Sequence, residues 1–304
     1  MTSDILITNA TVFTGNALIP GLTSLAVSGG RIVGIGDTPT VRRLLGASPE
    51  IVDVHGALVT PGFLDCHVHP MQAGLERLSC DLTDSTSAQS ALDMVADYAH
   101  SHPDEEWIVG GGWHMQHFPG GMPAAELLDS IAPGRKIYLV NADHHGAWVS
   151  SAGMAAAGID RDTPNPSDGI IDRNPDGTPH GTFQEGAMEI FQPLLPEPDL
   201  DQRVAALVEA QEYYHSLGIV GWQDAIVGEY AGSTDSTDAY LAAVDRGVLN
   251  HIVTAALWLR RDITLNTMEE AISGYLAQRA RFGDRSAEHP QYRLRATSIK
   301  IMMD

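Results

Sequence analysis

Two histidines separated by a single residue, His67 and His69, have the side-chain type and spacing best suited to chemistry in this sequence. They lie in a short apolar segment between Pro61 and Pro70. Residues two apart in an extended strand point to the same side, about 6.6 Å apart along the chain. Asp65, His67 and His69 would then share one face, where two imidazoles can bind one divalent ion. A bare His-x-His pair is also compatible with a structural role, but the preceding Pro-Gly-Phe-x-Asp and the predicted neighbouring strands favour a metal site.

Lys300 is a second candidate, because its surroundings are unusual for a lysine. The chain has only two lysines against sixteen arginines, and Lys300 lies within the apolar segment 299–303. A buried lysine is costly unless its charge is neutralised or the amine is modified. The alternative is a lysine at the end of a strand that reaches solvent.

Three further side chains are candidates for contact with a substrate. Because adjacent residues point to opposite sides, at most one of His144 and His145 is expected to face a pocket. Glu185 could face the same pocket or simply place a negative charge at a helix N-terminus. The glycines before Trp113 lack the pattern of a phosphate loop. We expect them to let the backbone approach a pocket wall that Trp113 lines.

The elements that must position these residues follow two patterns. Residues 4–58 show short β-strands, with a hairpin signal at Gly29 and Gly30. From residue 199 onward, helices alternate with strands, and this alternation predicts a parallel sheet with helices outside. A metal motif at the C-terminal end of such a strand predicts a (β/α)8, or TIM-like, barrel. The predicted barrel strands after the His-x-His strand are residues 219–222, 251–255 and 297–302.

The segment GALVTPGFLDCHVHP, residues 56–70, is similar to the signature of the metal-dependent amidohydrolase superfamily. Further segments resemble the branch that contains N-substituted formamide deformylases and YtcJ-type proteins. They are WIVGGGW at 107–113, NADHHGAWVSSAG at 141–153, DGTPHGTFQEGAM at 176–188 and SIKIMMD at 298–304.

The resemblance implies an α/β fold with two domains. Residues 1–58 would form the N-terminal part of a small β-sandwich. Residues 59–304 would form the first half of a (β/α)8 metal-hydrolase barrel, with a long insertion at about 71–198. Four barrel strands are readable where a closed barrel needs eight. We therefore expect a fragment of a longer protein, with a naturally short chain as the alternative.

The resemblance also assigns metal ligands. His67 and His69 would bind a divalent metal, expected to be Zn²⁺, as one or two ions. Lys300 matches a lysine that is carbamylated in many amidohydrolases, where the carbamate bridges two metals, and Asp304 matches the acidic member of K-x-x-x-D. The aspartate that acts as general base, and two further histidine ligands, would lie beyond residue 304. The 304-residue chain alone is thus predicted to be inactive or nearly so.

For substrate contacts, the resemblance points to His145 and Glu185. The family pattern is roughly D-G-H-x-x-W-V-N, in which His145 matches the histidine. His144 replaces the glycine and Ser150 replaces the asparagine. Glu185 matches a glutamate near the metals, and Trp113 would line the pocket.

The expected function is hydrolysis of a C–N bond in an amide-like small molecule, with N-substituted formamides as one candidate substrate class. The alternatives are a truncated, non-catalytic chain that binds metal and a deaminase or cyclic-amide hydrolase of the same superfamily. A formal charge of −21 argues against nucleic acid and anionic membrane surfaces as partners. The two cysteines, Cys66 and Cys80, form no disulfide framework, which fits a reducing cytoplasm. A homo-oligomer is compatible with the sequence.

Overall fold

The computed structural model describes residues 4–230, 234–283 and 293–302. By its internal contacts, the chain divides into two compact units, Met1–Phe63 and Leu64–Asp304. The first unit carries a five-stranded sheet, and the second carries a six-stranded and a four-stranded sheet. The architecture is therefore mixed α/β, which confirms the predicted class.

The first unit is built around the strand Ile5–Val12, which pairs with three other strands. Its strands follow the order β3-β2-β1-β4, with β5 also paired to β1. The hairpin between β2 and β3 is confirmed, and its turn uses Gly29 and Gly30 at φ 58° and 74°. The first strand, β1, continues through Asn9 (φ 56°), where its register against β2 shifts between Ile7 and Ala10. The elements are β1 (Ile5–Val12), β2 (Thr23–Ser28), β3 (Arg31–Gly36), α1 (Thr38–Arg42), β4 (Glu50–Asp53) and β5 (Leu58–Val59).

The predicted insertion forms a sheet of its own, in the order β11-β12-β10-β9-β8-β7. Residues 174–177 form a turn, in which the Gly177 N–H donates to the Asn174 carbonyl at 2.9 Å. It joins β11 to β12, two strands that were not predicted in this turn-rich stretch. The elements from the His-x-His strand onward are β6 (Phe63–Val68), α2 (Pro70–Leu78), β7 (Cys80–Asp81), α3 (Ala88–Ser101), β8 (Trp107–Trp113), α4 (Ala125–Ile131), β9 (Lys136–Asn141), β10 (Gly146–Val149), α5 (Ser151–Ala156), β11 (Gly169–Arg173) and β12 (Pro179–Glu185). Short 3₁₀ turns lie at Met115–His117, Pro119–Gly121, Gly186–Ile190 and Gln192–Leu194.

The glycines of β8 allow the neighbouring strands to pack closely. A Cβ atom on Gly110 would lie 2.1 Å from the Cys80 carbonyl oxygen of β7, and one on Gly111 would lie 2.8 Å from the Val140 carbonyl oxygen of β9. Gly112 has a φ of +88°, a backbone conformation that residues other than glycine rarely adopt. The expected approach of backbone is therefore real, but it serves contacts within the sheet and not a pocket wall.

The four-stranded sheet has the order β15-β14-β13-β6 and is parallel from β13 to β15. The helices that connect its strands bury apolar side chains such as Leu207 and Phe282 in one core with Trp222 and Val253 of the sheet. Strand–helix alternation after residue 199 is thus confirmed. The elements are α6 (Leu200–Ser216), β13 (Ile219–Val227), α7 (Thr237–Asp245), β14 (Ile252–Trp258), α8 (Met268–Phe282) and β15 (Arg293–Lys300).

The N-termini of α6 and α8 are capped differently. Asp199 caps α6, and its side chain and that of Gln202 form a reciprocal capping box. Thr267 precedes α8 but makes no side-chain cap. The Thr267 hydroxyl instead accepts a hydrogen bond from the Thr264 N–H at 2.9 Å. In the described part of the chain, no helix is both long and apolar enough to cross a membrane.

Candidate functional site

The His-x-His pair lies at the C-terminal end of β6. His67 belongs to the strand, while His69 follows its last residue and immediately precedes Pro70, the first residue of α2. The two imidazole rings are 5.5 Å apart between centroids and nearly perpendicular. The Asp65 carboxylate accepts the His67 backbone N–H at 3.0 Å. The predicted shared strand face is therefore replaced by a strand end at which the chain turns into a helix, and the two rings remain neighbours.

The surroundings of His69 favour its neutral form. Burial lowers the pKa of His69, and the nearby charges of His67, Lys300 and His144 lower it further. A neutral imidazole is the form that binds a metal ion. Lys300 is the last residue of β15 and hence lies at the same end of its strand as His69 does of β6. The structure thus brings Lys300 within electrostatic range of His69. Asp304, its predicted acidic companion, lies outside the described residues.

His144 and His145 pair with carboxylates from different elements. His145 Nδ1 lies 3.0 Å from Glu185 Oε1, and His144 Nδ1 lies 3.5 Å from Glu76 Oε1 of α2. Burial raises the pKa of Glu76, and the His144 charge opposes this rise. His144 (φ 66°) and Glu185 (φ 52°) both adopt left-handed backbone. Such strained backbone is uncommon outside glycine and concentrates at functional sites.

The His145–Glu185 pair is open to solvent. The two side chains are 68% and 59% exposed. An ion pair this open to water contributes little to stability. The pair therefore adds little to the stability of the fold.

Trp113 requires a correction. Its side chain is only 1% exposed, and it packs in the core of the six-stranded sheet against Phe118 and Trp148. Its indole N–H donates to the Leu139 carbonyl at 2.8 Å. Trp113 is therefore a core residue, and its expected place in a pocket wall does not agree with this geometry.

Asp224 was not predicted and is the main addition to the site. It is 1% exposed, lies on β13 and lines a small cavity together with His69. The Tyr240 hydroxyl donates to Asp224 Oδ2 at 2.8 Å and the Ile226 N–H to Oδ1 at 3.1 Å. Burial raises the pKa of Asp224 to about 7, against the effect of these two hydrogen bonds. The sequence does carry a signal for Asp224, because it is an acidic residue within an apolar strand. It was missed because the predicted strand ended at Trp222, two residues before it.

The donors present suit a divalent ion but form only part of a ligand set. Two imidazoles are typical of zinc sites, and Lys300 could contribute only if its amine were neutral or modified. Among residues 4–230, 234–283 and 293–302, no group of three or more His, Cys, Asp or Glu side chains is arranged to hold a metal ion. A catalytic zinc ordinarily has three protein ligands. His67 and His69 fit as two of them.

Comparison with known proteins gives relatives that match most of the chain. It is 33% identical over 248 residues to Protein LONG AFTER FAR-RED 3 from Arabidopsis thaliana, covering 79% of this chain and 42% of that protein. It is 28% identical over 311 residues to N-substituted formamide deformylase from Arthrobacter pascens, covering 99% and 54%. It is 29% identical over 225 residues to putative amidohydrolase YtcJ from Bacillus subtilis, covering 73% and 42%. The chain spans about half the length of the curated relatives it matches.

Solved structures with the same fold include two uncharacterized metal-dependent hydrolases. Those from Pyrococcus horikoshii and Pyrococcus furiosus each align with a TM-score of 0.60 over 89% of this chain, at 21% and 23% identity. The alignments cover 50% and 52% of those chains. The model of the Amidohydrolase family matches residues 50–304, a range that includes the His-x-His strand and Lys300. This chain therefore belongs to the amidohydrolase family.

Proposed function

We propose that this chain is part of a metal-dependent hydrolase that cleaves C–N bonds in amide-like substrates. One observation carries the proposal: His67 and His69 end β6, and Lys300, at the end of β15 in the same sheet, is close enough for its charge to lower the His69 pKa. Active sites of (β/α)8 enzymes lie at the C-terminal ends of the barrel strands. Zn²⁺ is the proposed ion, as one ion or two, because imidazole is among its preferred ligands.

We propose further that the four-stranded sheet is the first half of a (β/α)8 barrel. The parallel run from β13 to β15, with a helix before each strand, supports this. Residues 71–198 are then a long insertion between the first two barrel strands, and residues 1–58 contribute to a β-sandwich. The match to solved metal-dependent hydrolases over 89% of the chain agrees with this arrangement.

The remaining residues have distinct proposed roles. A bound divalent ion would supply activated water at neutral pH. Lys300, which is half-buried, would if carbamylated offer anionic oxygen to a second ion in place of its ammonium group. His145 and Glu185 would contact the substrate, and their 3.0 Å hydrogen bond could hold a proton between the imidazole and the carboxylate.

N-substituted formamides are the proposed substrate class, because the deformylase relative matches 99% of this chain. A cyclic amide or a deaminase substrate is the alternative within the same family. The second candidate function is non-catalytic metal binding. It is favoured by the partial ligand set, since the described residues offer no group of three acidic, histidine or cysteine ligands. A small molecule is the proposed partner in each case, with nucleic acid disfavoured by the −21 charge. Self-association remains a proposal.

The metal content of the purified chain tests the metal site. Wild type and the exposed-histidine control His100→Ala should retain zinc after dialysis, whereas the double variant His67→Ala/His69→Ala should lose it. Equal zinc in all three proteins would contradict the proposal. Hydrolysis is then assayed on the protein as its source cell produces it, with N-substituted formamides, cyclic amides and aminopyrimidines. Retained zinc with no turnover of any of these would favour the non-catalytic function.

A further inference from the structure

The cavity beside His69 contains a buried acid without a basic partner. The polar residues that line it include Gln72, Asp224, Tyr230 and Ser236, and none of the lining residues in the described chain is a lysine or arginine. Asp224 takes part in no ion pair among the described residues. A buried carboxylate is strongly unfavourable unless a cation compensates it. Among the described residues, Asp224 is thus a buried acid without a basic partner.

The hydrogen bonds of Asp224 hold it in place but leave its charge uncompensated. The Trp222 indole N–H donates to the Tyr240 hydroxyl at 3.2 Å, and that hydroxyl donates to Asp224 at 2.8 Å. These donors are neutral. The second acid close by, Asp65, acts on Tyr214 together with Asp224 and adds negative charge to the same region. The network therefore orients a carboxylate towards a space that is suited to a cation.

We propose that Asp224 is the anionic counterpart of the divalent cation held by His67 and His69. The cavity that His69 and Asp224 share is the place where that positive charge balances the carboxylate. Two neutral imidazoles bring no negative charge to a divalent ion, so a fixed carboxylate on the other wall strengthens its binding. Asp224 is thus a positioning and charge-balancing residue of the site. The inference rests on the proposed metal-dependent function.

Zinc affinity and thermal stability of three proteins test this inference. They are the wild-type chain, Asp224→Asn, and the control Asp201→Asn, which removes an equal charge from an exposed site on α6. The amide can still accept the Ile226 N–H and pair with the Tyr240 hydroxyl. We expect Asp224→Asn to weaken zinc binding in a calorimetric titration by about tenfold or more, the range seen for groups that support metal ligands. Asp201→Asn should bind zinc within about twofold of wild type.

Thermal unfolding distinguishes charge balance from a merely structural role. Without metal, the melting temperature of Asp224→Asn should be no lower than that of wild type, because the variant removes an uncompensated buried acid. Added zinc should raise the melting temperature of Asp224→Asn by less than it raises that of wild type. A lower melting temperature in both conditions with unchanged zinc affinity would overturn the inference. If Asp224→Asn does not fold, Asp224→Ser is used, and failure of both variants to fold also overturns it. If wild type binds no zinc through His67 and His69, the proposed function fails as well; if wild type and Asp224→Asn bind zinc equally, only the inference fails.

Discussion

His251 should make folding stability depend on pH between 7 and 5. It is 0% exposed and packs against Trp222 and His215, with ring centroids 4.5 Å and 4.2 Å away. Burial lowers the pKa of His251 to about 4; the His215 charge acts in the same direction, while a hydrogen bond to the Ile219 carbonyl opposes it. The unfolded chain therefore binds a proton near pH 6.5 that the folded chain does not accept until about pH 4. Stability from this residue is present above pH 6.5 and is lost as the pH falls.

The magnitude follows from the two pKa values. One unit of difference corresponds to about 1.4 kcal/mol. Between pH 7 and pH 5 the loss from His251 is therefore about 2 kcal/mol, and it continues to grow until pH 4. Asp224 acts in the opposite direction, because its raised pKa of about 7 makes protonation stabilise the folded state over the same interval. The pH profile of wild type alone would hide both effects.

A matched variant separates the pH-dependent contribution of His251 from that of Asp224. His251→Gln keeps a polar side chain that can hydrogen-bond but cannot titrate, and it leaves Asp224 in place. At pH 7 we expect His251→Gln to be about 2 kcal/mol less stable than wild type, because the substitution repacks a buried site. At pH 5 this difference should shrink by about 2 kcal/mol. Chemical denaturation at both pH values measures the change, and NMR titration of the imidazole carbons of wild type reads the pKa directly.

The geometry of His251 defines the result that would refute this reasoning. Nδ1 lies 3.1 Å from Gln211 Oε1 and Nε2 lies 3.0 Å from the Ile219 carbonyl. The Gln211 oxygen already accepts the Asn250 N–H, so both ring nitrogens face acceptors. A neutral imidazole can donate to only one of them. If the two acceptors outweighed burial, His251 would titrate above pH 6.5 and the difference from His251→Gln would widen at pH 5.

Two further pairs of variants test the packing and capping arguments. Gly110→Ala should destabilise the chain by about 3 kcal/mol, because the new methyl would lie 2.1 Å from the Cys80 carbonyl oxygen; Gly274→Ala, with nothing within 4 Å, should stabilise α8 by about 0.5–1 kcal/mol. Equal effects in denaturation would contradict the packing argument. Asp199→Ala should cost about 1 kcal/mol through loss of the α6 cap, whereas Thr267→Ala should cost much less at α8. A loss at Thr267 as large as that at Asp199 would show that the hydroxyl caps α8 in solution.

Local signals in the sequence predicted most of the regular structure. The Gly29–Gly30 pair predicted a hairpin because glycine can adopt the left-handed backbone conformation at two successive positions without strain. The alternation after residue 199 predicted parallel strands because each helix returns the chain to the same edge. By contrast, β11 and β12 were missed because their residues include proline, glycine and charges that are poor strand formers. They are held as strands by pairing with each other and with β10.

The candidate site was predictable only in part, since its members are far apart in the chain. The His-x-His motif is local and could be read directly, but the cavity it shares with Asp224 depends on the packing of β6 against β13. Nothing in the spacing of residues 69 and 224 predicts that they line one space. Trp113 illustrates the converse, because an aromatic residue beside glycines is equally typical of a pocket wall and of a tightly packed strand. Burial distinguishes the two, and burial is a property of the tertiary structure.

Several of the residues proposed for chemistry lie where local preference and structure disagree. His69 leaves the strand that its spacing predicted, and His144 and Glu185 adopt left-handed backbone without being glycine. Asp224 buries a carboxylate that has no basic partner in the described part of the chain. Each of these arrangements is unfavourable by itself, and a fold tolerates them where the surrounding packing enforces them. A divalent cation at His67 and His69 would balance the Asp224 charge, so the metal proposal also gives the least favourable of these features a physical cause.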